Sequence, residues 1–368
     1  MKILVKNLCV FVISIVAGNS VAGQDQPKKL LQSLSLELNG HHGFFIANQP
    51  KSQYLRSSHA DFGELVLTAQ TTGNKQWQVE NYYPRIGIAI LYGSPGSDQY
   101  LGKLTAIYPF VNFPLIRSRS FYTGFRLGLG TGWIQKPYDK YTNYKNLMIS
   151  THINACISMM IQSELFLCDR ISVQAAISFT HLSNGSVKVP NLGLNMPAVS
   201  AGLRYLFNPS PALVNKTKIS FKKKWNHYVY ALAAAKQTYP LESSTYMVAI
   251  LNMESLRAFS RTGRFGAGVY IAYDKSLSKE QKDAPTYAFD KSLPQVQASI
   301  YGCYEHVIGK LSIPLQAGVY VYNQYQINPL YQTIGIRYRF TPKMNVVLQL
   351  KTHFGKADYI QWGLGYKL

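Results

Sequence analysis

His181 and Ser183 stand two residues apart at the end of an alternating segment, and they have the side chains of a general base and a nucleophile. Through residues 171–179 the odd positions are apolar and the even positions are mostly small or polar, which is the period of a β-strand. His181 and Ser183 continue the apolar positions. Side chains two residues apart on one strand face start roughly 6–7 Å from each other, so an imidazole can reach a hydroxyl with modest local twist. The pair therefore fits the chemistry of a serine hydrolase.

Further residues nearby would complete such a site. Asn195 lies shortly before the next predicted strand, residues 199–207, and its side-chain carbonyl can accept the imidazole N–H, as Asn does in Cys-His-Asn enzymes. The Asn184 amide and the backbone N–H of Gly185 are candidate oxyanion donors. The same residues also allow a structural interpretation, because Ser183-Asn184-Gly185-Ser186 has the composition of a turn and His181 would then be an amphipathic interface residue.

The elements that must position these side chains are predicted to be strands of an outer-membrane β-barrel. The chain contains 27 Tyr, 27 Gly and 17 Phe, and several segments alternate in hydrophobicity, namely residues 121–133, 264–273, 333–340 and 362–368. One face of these segments is apolar and the other carries Gly and Arg. An arginine is tolerated in a polar lumen, whereas at the lipid-facing midplane it costs roughly 2–4 kcal/mol. The predicted fold class is all-β, an antiparallel transmembrane barrel; the alternative is a secreted β-sandwich.

The first 22 residues are predicted to be a secretory signal peptide. Lys2 and Lys6 precede an apolar run at residues 8–17, and Ser20-Val21-Ala22 offers a cleavage site between small residues. No later stretch has about 18 consecutive apolar residues, the minimum for a membrane-spanning helix. We therefore expect export, removal of residues 1–22 and insertion in the outer membrane as a multi-pass barrel.

The mature chain divides around a polar, Pro- and Lys-rich segment. Residues 23–207 contain about eight strand-like segments and residues 225–368 contain seven or eight, while residues 208–224 are predicted to be a basic linker. Two architectures are open. The chain forms either one barrel of about 14–16 strands or an eight-stranded barrel followed by a second β unit.

The strong positive charge suits an anionic lipid surface. The net charge is +21, or +19 once Lys2 and Lys6 are removed (21 minus 2). The alternative is that the Lys and Arg residues line a lumen or lie in loops.

After signal cleavage Cys156, Cys168 and Cys303 allow at most one internal disulfide, and the histidines lack a metal-ligand spacing. We predict no metal, no cofactor and no nucleic-acid partner.

Residues 180–185, Thr-His-Leu-Ser-Asn-Gly, followed by residues 190–195, Pro-Asn-Leu-Gly-Leu-Asn, resemble the active-site segment of the outer-membrane lipid A 3-O-deacylases and their acyloxyacyl-hydrolase-like relatives. Residues 85–93 and 108–115 look like the larger, Bacteroidetes-type relatives. The resemblance is close over residues 180–195 and looser over residues 85–207. It differs at the third catalytic position, where the best-known members have a glutamate and this chain has Asn195; Asp139, in a loop expected at the same rim, is an alternative acid.

The resemblance implies an eight-stranded barrel whose outer wall carries Ser183 as nucleophile, His181 as base and Asn184 near the oxyanion. It implies an esterase that removes an acyl chain, the 3-O-linked one, from lipid A in the outer leaflet. Lipopolysaccharide and outer-membrane lipids would be the partners, with the oligomeric state open and a homodimer among the options. The competing hypothesis is a non-catalytic outer-membrane channel or scaffold that retains the motif.

Overall fold

The polypeptide folds into β-strands that close two separate barrels. The computed structural model describes residues 34–47, 50–208, 212–214, 220–221, 223–239, 244–279, 293–323 and 328–368. Within these ranges the helical elements are a 3-10 turn at Pro50–Leu55, one short α-helix, α1, at Gln76–Glu80, and a helical stretch at residues 277–279. The predicted signal peptide and most of the predicted linker lie outside the described residues.

The first barrel contains eight antiparallel strands, each paired with its sequence neighbour, and it closes between the first strand and the eighth. The strands are β1 (Leu34–Gly43), β2 (Ala60–Gln70), β3 (Arg85–Pro95), β4 (Leu104–Arg117), β5 (Phe121–Ile134), β6 (Ile153–Phe166), β7 (Ile171–Ser183) and β8 (Leu194–Leu206). Closure pairs Leu38 with Leu203 and Gly43 with Ala198. Because the barrel is closed, none of its strands is left as an unpaired edge.

The second barrel repeats this meander with eight more strands, and its last strand pairs with its first. The strands are β9 (Trp225–Lys236), β10 (Tyr246–Ala258), β11 (Gly263–Asp274), β12 (Val296–Ile308), β13 (Leu311–Asn323), β14 (Leu330–Arg339), β15 (Met344–His353) and β16 (Lys356–Lys367). The alternation at residues 362–368, noted in the sequence, thus belongs to the closing strand. The predicted fold class is confirmed, and of the two architectures left open the chain adopts two closed β units.

The interior of each barrel contains paired charges, which explains the arginines in the alternating segments. In the first barrel Arg126 Nη2 lies 2.6 Å from Glu64 Oε2, and Arg204 Nη1 lies 2.8 Å from Glu164 Oε1. In the second barrel Arg337 Nη1 lies 2.7 Å from Glu254 Oε1. A buried charge is tolerated only when it is paired and hydrogen-bonded. Each lumen is therefore a packed core in which paired charges lie beside buried apolar and tyrosine side chains, such as Tyr108 in the first barrel and Tyr230 in the second, while further apolar side chains of the same strands face outward.

The two ends of the first barrel differ in the length of their connections. Residues 44–59, 96–103, 135–152 and 184–193 link strands at one end, whereas the other end has two tight turns, at residues 118–120 and 167–170, and one longer connection, residues 71–84, which contains α1. Outer-membrane barrels have short periplasmic turns and longer external loops. The carboxyl end of β7 lies at the end where all four connections are long, and we therefore expect this end to be the external one. Among the described residues, none of the helices has the length and apolar character needed to cross a bilayer.

Candidate active site

Strand β7 carries His181 on the outer wall of the first barrel and ends at Ser183. Outward residues of β7 such as Ile177 are exposed, while the alternate residues Ser178 and Leu182 are buried. His181 continues the outward set and is half-buried. Ser183 has the same parity, yet only 3% of its surface is exposed. The structure thus places both side chains in the predicted order on the wall, with the hydroxyl more enclosed than the imidazole.

Asn195 is the partner of His181. The two residues face each other in the pairing of β7 with β8, and His181 Nδ1 lies 2.7 Å from Asn195 Oδ1. Because a side-chain amide oxygen only accepts, Nδ1 carries the proton and donates it to Asn195. In the neutral imidazole this leaves the Nε2 lone pair as the basic site. The arrangement fixes the tautomer that a general base for Ser183 requires.

Strand β8 begins earlier than the sequence pattern predicts. The predicted strand starts at residue 199, but β8 starts at Leu194 because its pairing with β7 continues to the rim, as far as Leu182 opposite Leu194. Beyond the end of β1, the backbone N–H of Ile46 also donates to the carbonyl of Asn195, over 2.8 Å. Asn195 is therefore held on both sides by backbone pairing, and its side chain has little freedom to leave the imidazole.

Gly193 packs its backbone directly against the histidine. A Cβ at this position would stand 3.0 Å from His181 Cε1 and 3.3 Å from the carbonyl oxygen of Leu182, and the Gly193 φ angle is +75°. The Gly193 N–H donates to the carbonyl of Met148, over 2.9 Å, so the loop between β5 and β6 supports this approach. The motif quoted from the sequence contains Gly193, but its role against the imidazole depends on a close contact that spacing does not reveal.

For the deacylation that the resemblance at residues 180–195 implies, we expect Gly193→Ala to lower the rate by about fivefold, since a ring that is displaced by a few tenths of an ångström loses its alignment with Ser183. The positive φ angle adds backbone strain for any residue with a Cβ. Activity on purified lipid A, measured beside the amount of heat-modifiable folded barrel, separates these effects. A fully active, fully folded Gly193→Ala protein would show that the contact does not position the ring.

The predicted oxyanion donors lie in the segment that follows Ser183. The backbone N–H of Asn184 donates to Asn191 Oδ1, over 3.2 Å, and its Nδ2 donates to the carbonyl of Lys188, over 2.9 Å. Gly185 is buried and has a φ angle of +62°, as the turn interpretation of this segment requires. Turn formation does not conflict with the predicted oxyanion role of Asn184 and Gly185, because a turn brings successive backbone N–H groups close together.

Asp139 caps its own loop. Its Oδ1 accepts the backbone N–H groups of Tyr141 and Thr142, over 3.0 and 2.8 Å, and the Thr142 hydroxyl, over 2.9 Å. The carboxylate of Asp139 therefore stabilises the turn at residues 139–143, whereas the Nδ1 side of His181 faces Asn195. The described residues contain no cluster of three or more potential metal ligands among His, Cys, Asp and Glu.

Profiles of known protein families match both barrels of the chain. Residues 63–204 match the family profile described as "Lipid A 3-O-deacylase (PagL)", and residues 224–368 match "Acyloxyacyl hydrolase, C-terminal domain". No curated protein matches the chain by sequence.

Two solved barrels illustrate the structural neighbours. Neisserial surface protein A (NspA) is 12% identical with a TM-score of 0.32, over 47% of this chain and 97% of that one. A triple mutant of the Rhodopseudomonas blastica porin is 9% identical with a TM-score of 0.19, over 91% of this chain and 100% of that one. The two family matches together span most of the sequence and confirm the resemblance found at residues 180–195: the chain belongs to the lipid A 3-O-deacylase (PagL) family.

Proposed function

We propose that this protein is an outer-membrane serine esterase that removes an ester-linked acyl chain, the 3-O-linked one, from lipid A. The observation that carries the proposal is the contact between His181 Nδ1 and Asn195 Oδ1, 2.7 Å long, on the outer wall two residues before Ser183. Such a contact prepares the imidazole as a base on the surface where a membrane lipid approaches. Membership in a family of lipid A deacylases supports the choice of substrate.

In the proposed reaction the Ser183 hydroxyl attacks the carbonyl carbon of the ester while His181 Nε2 takes the hydroxyl proton. The resulting imidazolium gives that proton to the departing sugar oxygen, and the acyl group stays on Ser183. Water, deprotonated by the same nitrogen, then attacks the acyl-enzyme and releases the fatty acid. Asn195 stabilises the imidazolium only through its amide dipole, since it has no charge.

The oxyanion of the tetrahedral intermediates needs N–H donors close to Ser183. We assign this role to Asn184 and Gly185. In the present conformation the two Asn184 donors point to Asn191 Oδ1 and to the Lys188 carbonyl. The oxyanion would replace one of these acceptors, so substrate binding is coupled to a rearrangement of the segment after Ser183. The low exposure of Ser183 fits this requirement, because the hydroxyl must become accessible at the same step.

The surroundings of the site suit an amphipathic glycolipid. Below the rim the outer wall is apolar, with Ile153, Ile161 and Ile177 exposed on β6 and β7. At the loop end Lys136, Lys140 and Lys145 are exposed, and cations at this level attract lipid phosphates. An acyl chain along the wall and phosphates near the lysines would bring an ester to the height of Ser183.

Mass spectrometry of lipid A tests the proposal. Lipid A from outer membranes with the full-length protein is expected to lose the mass of one hydroxyacyl chain, and fragmentation of the product assigns the position. Loss from a position other than 3-O would retain the esterase and correct its regiochemistry. Unchanged lipid A, in membranes that contain the folded barrels, would contradict the proposal.

The competing channel hypothesis makes a different prediction about ion flow. In the first barrel Glu64 and Glu164 are fully buried and paired across the lumen with Arg126 and Arg204. Because these pairs fill the lumen, we expect purified protein in planar bilayers to give no stable ohmic conductance steps of the size seen for porins. Reproducible steps that persist in a protein with Ser183→Ala would favour the channel.

A further inference from the structure

A groove crosses the outer wall of the second barrel, away from the residues used above. Its floor is a row of small residues that face each other in the strand pairing, Ser255 on β10, Ala267 on β11, Gly302 on β12 and Ala317 on β13. Ala267, Gly302 and Ala317 are exposed. The groove has a volume of about 990 Å³. A row of small residues alone would form only a shallow depression. The side chains that border the row therefore determine what the groove can bind.

Large apolar side chains form one bank of the groove. They belong to the next outward row of the same strands and are 36–50% exposed: Met253, Val269, Ile300, Val319 and Leu330. They stand beside a floor that has almost no side chains, so an extended hydrocarbon chain lying there would contact both. In a barrel wall the alternative neighbour is bulk lipid, and the gain comes from closer packing.

A polar pair closes one end of this apolar groove. His227 on β9 faces Ser255 in the pairing of β9 with β10, and His227 Nδ1 lies 2.8 Å from Ser255 Oγ. Both residues line the groove together with the last residue, Leu368. Polar side chains on a lipid-facing wall are costly unless they lie near the interface or meet a polar group. A hydroxyl that receives the His227 N–H can donate its own hydrogen to an ester carbonyl.

The direction of the groove matches one acyl chain of one leaflet. From Ser255 to Gln332 the row crosses four strand spacings, roughly 19 Å at about 4.8 Å each. A row perpendicular to strands that are tilted by about 45° descends roughly 13 Å along the membrane normal, close to half of a hydrocarbon core about 30 Å thick. The groove thus begins at the polar pair and ends near the bilayer centre, so that it spans the depth of one leaflet.

The polar end lies at the end of this barrel that has short turns. All three connections there are tight, at residues 259–262, 309–310 and 340–343, whereas the opposite end has the longer connections 237–245, 275–295 and 324–329 and one tight turn at residues 354–355. His227 is the third residue of β9 and Ser255 is the fourth from the end of β10, next to the 259–262 turn. Short turns mark the periplasmic side of such barrels. The lipids at that face are glycerophospholipids, whose acyl chains are joined by esters at the level of the interface.

We propose that this groove binds one acyl chain of a glycerophospholipid from the inner leaflet, with the Ser255 hydroxyl donating to the ester carbonyl and His227 holding that hydroxyl in place. The site is one for a bound lipid, separate from the proposed deacylation at Ser183. It gives the second barrel a role in lipid contact that does not depend on catalysis.

Native mass spectrometry of the full-length protein, loaded with dipalmitoyl phosphatidylethanolamine, tests occupancy of the groove. Gly302→Leu fills the floor, and it is sterically allowed because a Cβ at Gly302 meets nothing within 4 Å. Ala231→Leu is the matched control, since Ala231 is also exposed on the outer wall but lies on β9 outside the groove. We expect Gly302→Leu to lower retained lipid by about tenfold, since the displaced chain loses the burial of several methylene groups. Equal retention by the two variants would overturn the proposal.

A second comparison tests the polar end. The wild-type protein is expected to retain the ester-linked lipid about fivefold better than its ether-linked analogue, the effect of one net hydrogen bond. Ser255→Ala is expected to remove this preference while leaving retention of the ether lipid unchanged. A preference that survives in Ser255→Ala would overturn the assignment of the hydroxyl to the ester carbonyl.

Discussion

Ser183→Ala is expected to abolish the removal of an acyl chain from lipid A, with a decrease in rate of at least about 10³-fold. The methyl group cannot form the acyl-enzyme, and a catalytic unit that loses its nucleophile retains only the contribution of binding and electrostatic stabilisation. The measurement compares lipid A mass spectra from outer membranes that contain equal amounts of folded wild type and variant. The substitution removes one buried hydroxyl and leaves the pairing of β6 with β7 intact, so we expect the barrel to insert normally.

Ser163→Ala is a suitable control for that experiment. Ser163 lies on β6 of the same barrel with its Oγ 3.1 Å from Thr123 Oγ1, so this substitution also removes a serine hydroxyl from a hydrogen bond. We expect it to keep wild-type activity. Deacylation that continues at the wild-type rate in Ser183→Ala would exclude Ser183 as the nucleophile, whereas a loss of activity in both variants would point to a general defect of the barrel.

The parity of the strand residues was the most informative signal in the sequence. Alternation predicted that His181 faces outward. The same rule holds for the consecutive residues His41 and His42, since His41 is buried and His42 is exposed. These features depend on local backbone geometry, which period-2 patterns report directly. The presence of strands on both sides of the Pro- and Lys-rich segment was also predictable, for the same reason.

Barrel closure was not predictable in the same way. One large barrel and two small ones share the same neighbouring pairs and differ in which strand meets β1 and which meets β9. The choice depends on long-range partners, such as Leu38 with Leu203 and Trp362 with Ala233. The contact of Gly193 with the imidazole is likewise a long-range consequence of register, as is the early start of β8.

Residue types alone would also have selected a second Ser/His/carboxylate set, one that faces the lumen of the first barrel and not its outer wall. Inside the first barrel Ser178 Oγ lies 3.4 Å from His41 Nδ1, and His41 Nε2 lies 3.4 Å from Glu64 Oε2. This set has the carboxylate that the outer pair lacks. All three residues are buried in the lumen, and Glu64 is paired with Arg126, so a membrane ester has no route to Ser178. Orientation toward lipid therefore favours His181, Ser183 and Asn195 on the outer wall, although this set has no carboxylate.

Asn195, at the third catalytic position, offers the most direct test of the assignment of the active site to the outer wall. Asn195→Asp keeps the shape of the side chain and its contact with His181 Nδ1, but replaces an amide dipole by a charge. Because an ionised acceptor makes a hydrogen bond roughly twice as strong and stabilises the imidazolium that forms when Ser183 attacks, we expect kcat to rise by about tenfold.

Asn195→Leu removes the hydrogen-bond acceptor that Asn195→Asp strengthens. The two variants together show how residue 195 acts on His181. With no acceptor for the Nδ1 proton the imidazole is free to adopt the other tautomer and to rotate, so we expect kcat to fall by about 100-fold with little change in KM. Initial rates of fatty-acid release from purified lipid A, over a range of substrate concentrations, give kcat and KM for all three proteins. A gain in Asn195→Asp together with the loss in Asn195→Leu would mean that the wild-type amide orients the base without charging it. Identical rates in the three proteins would contradict the role of Asn195 in orienting His181, whatever the outcome at Ser183.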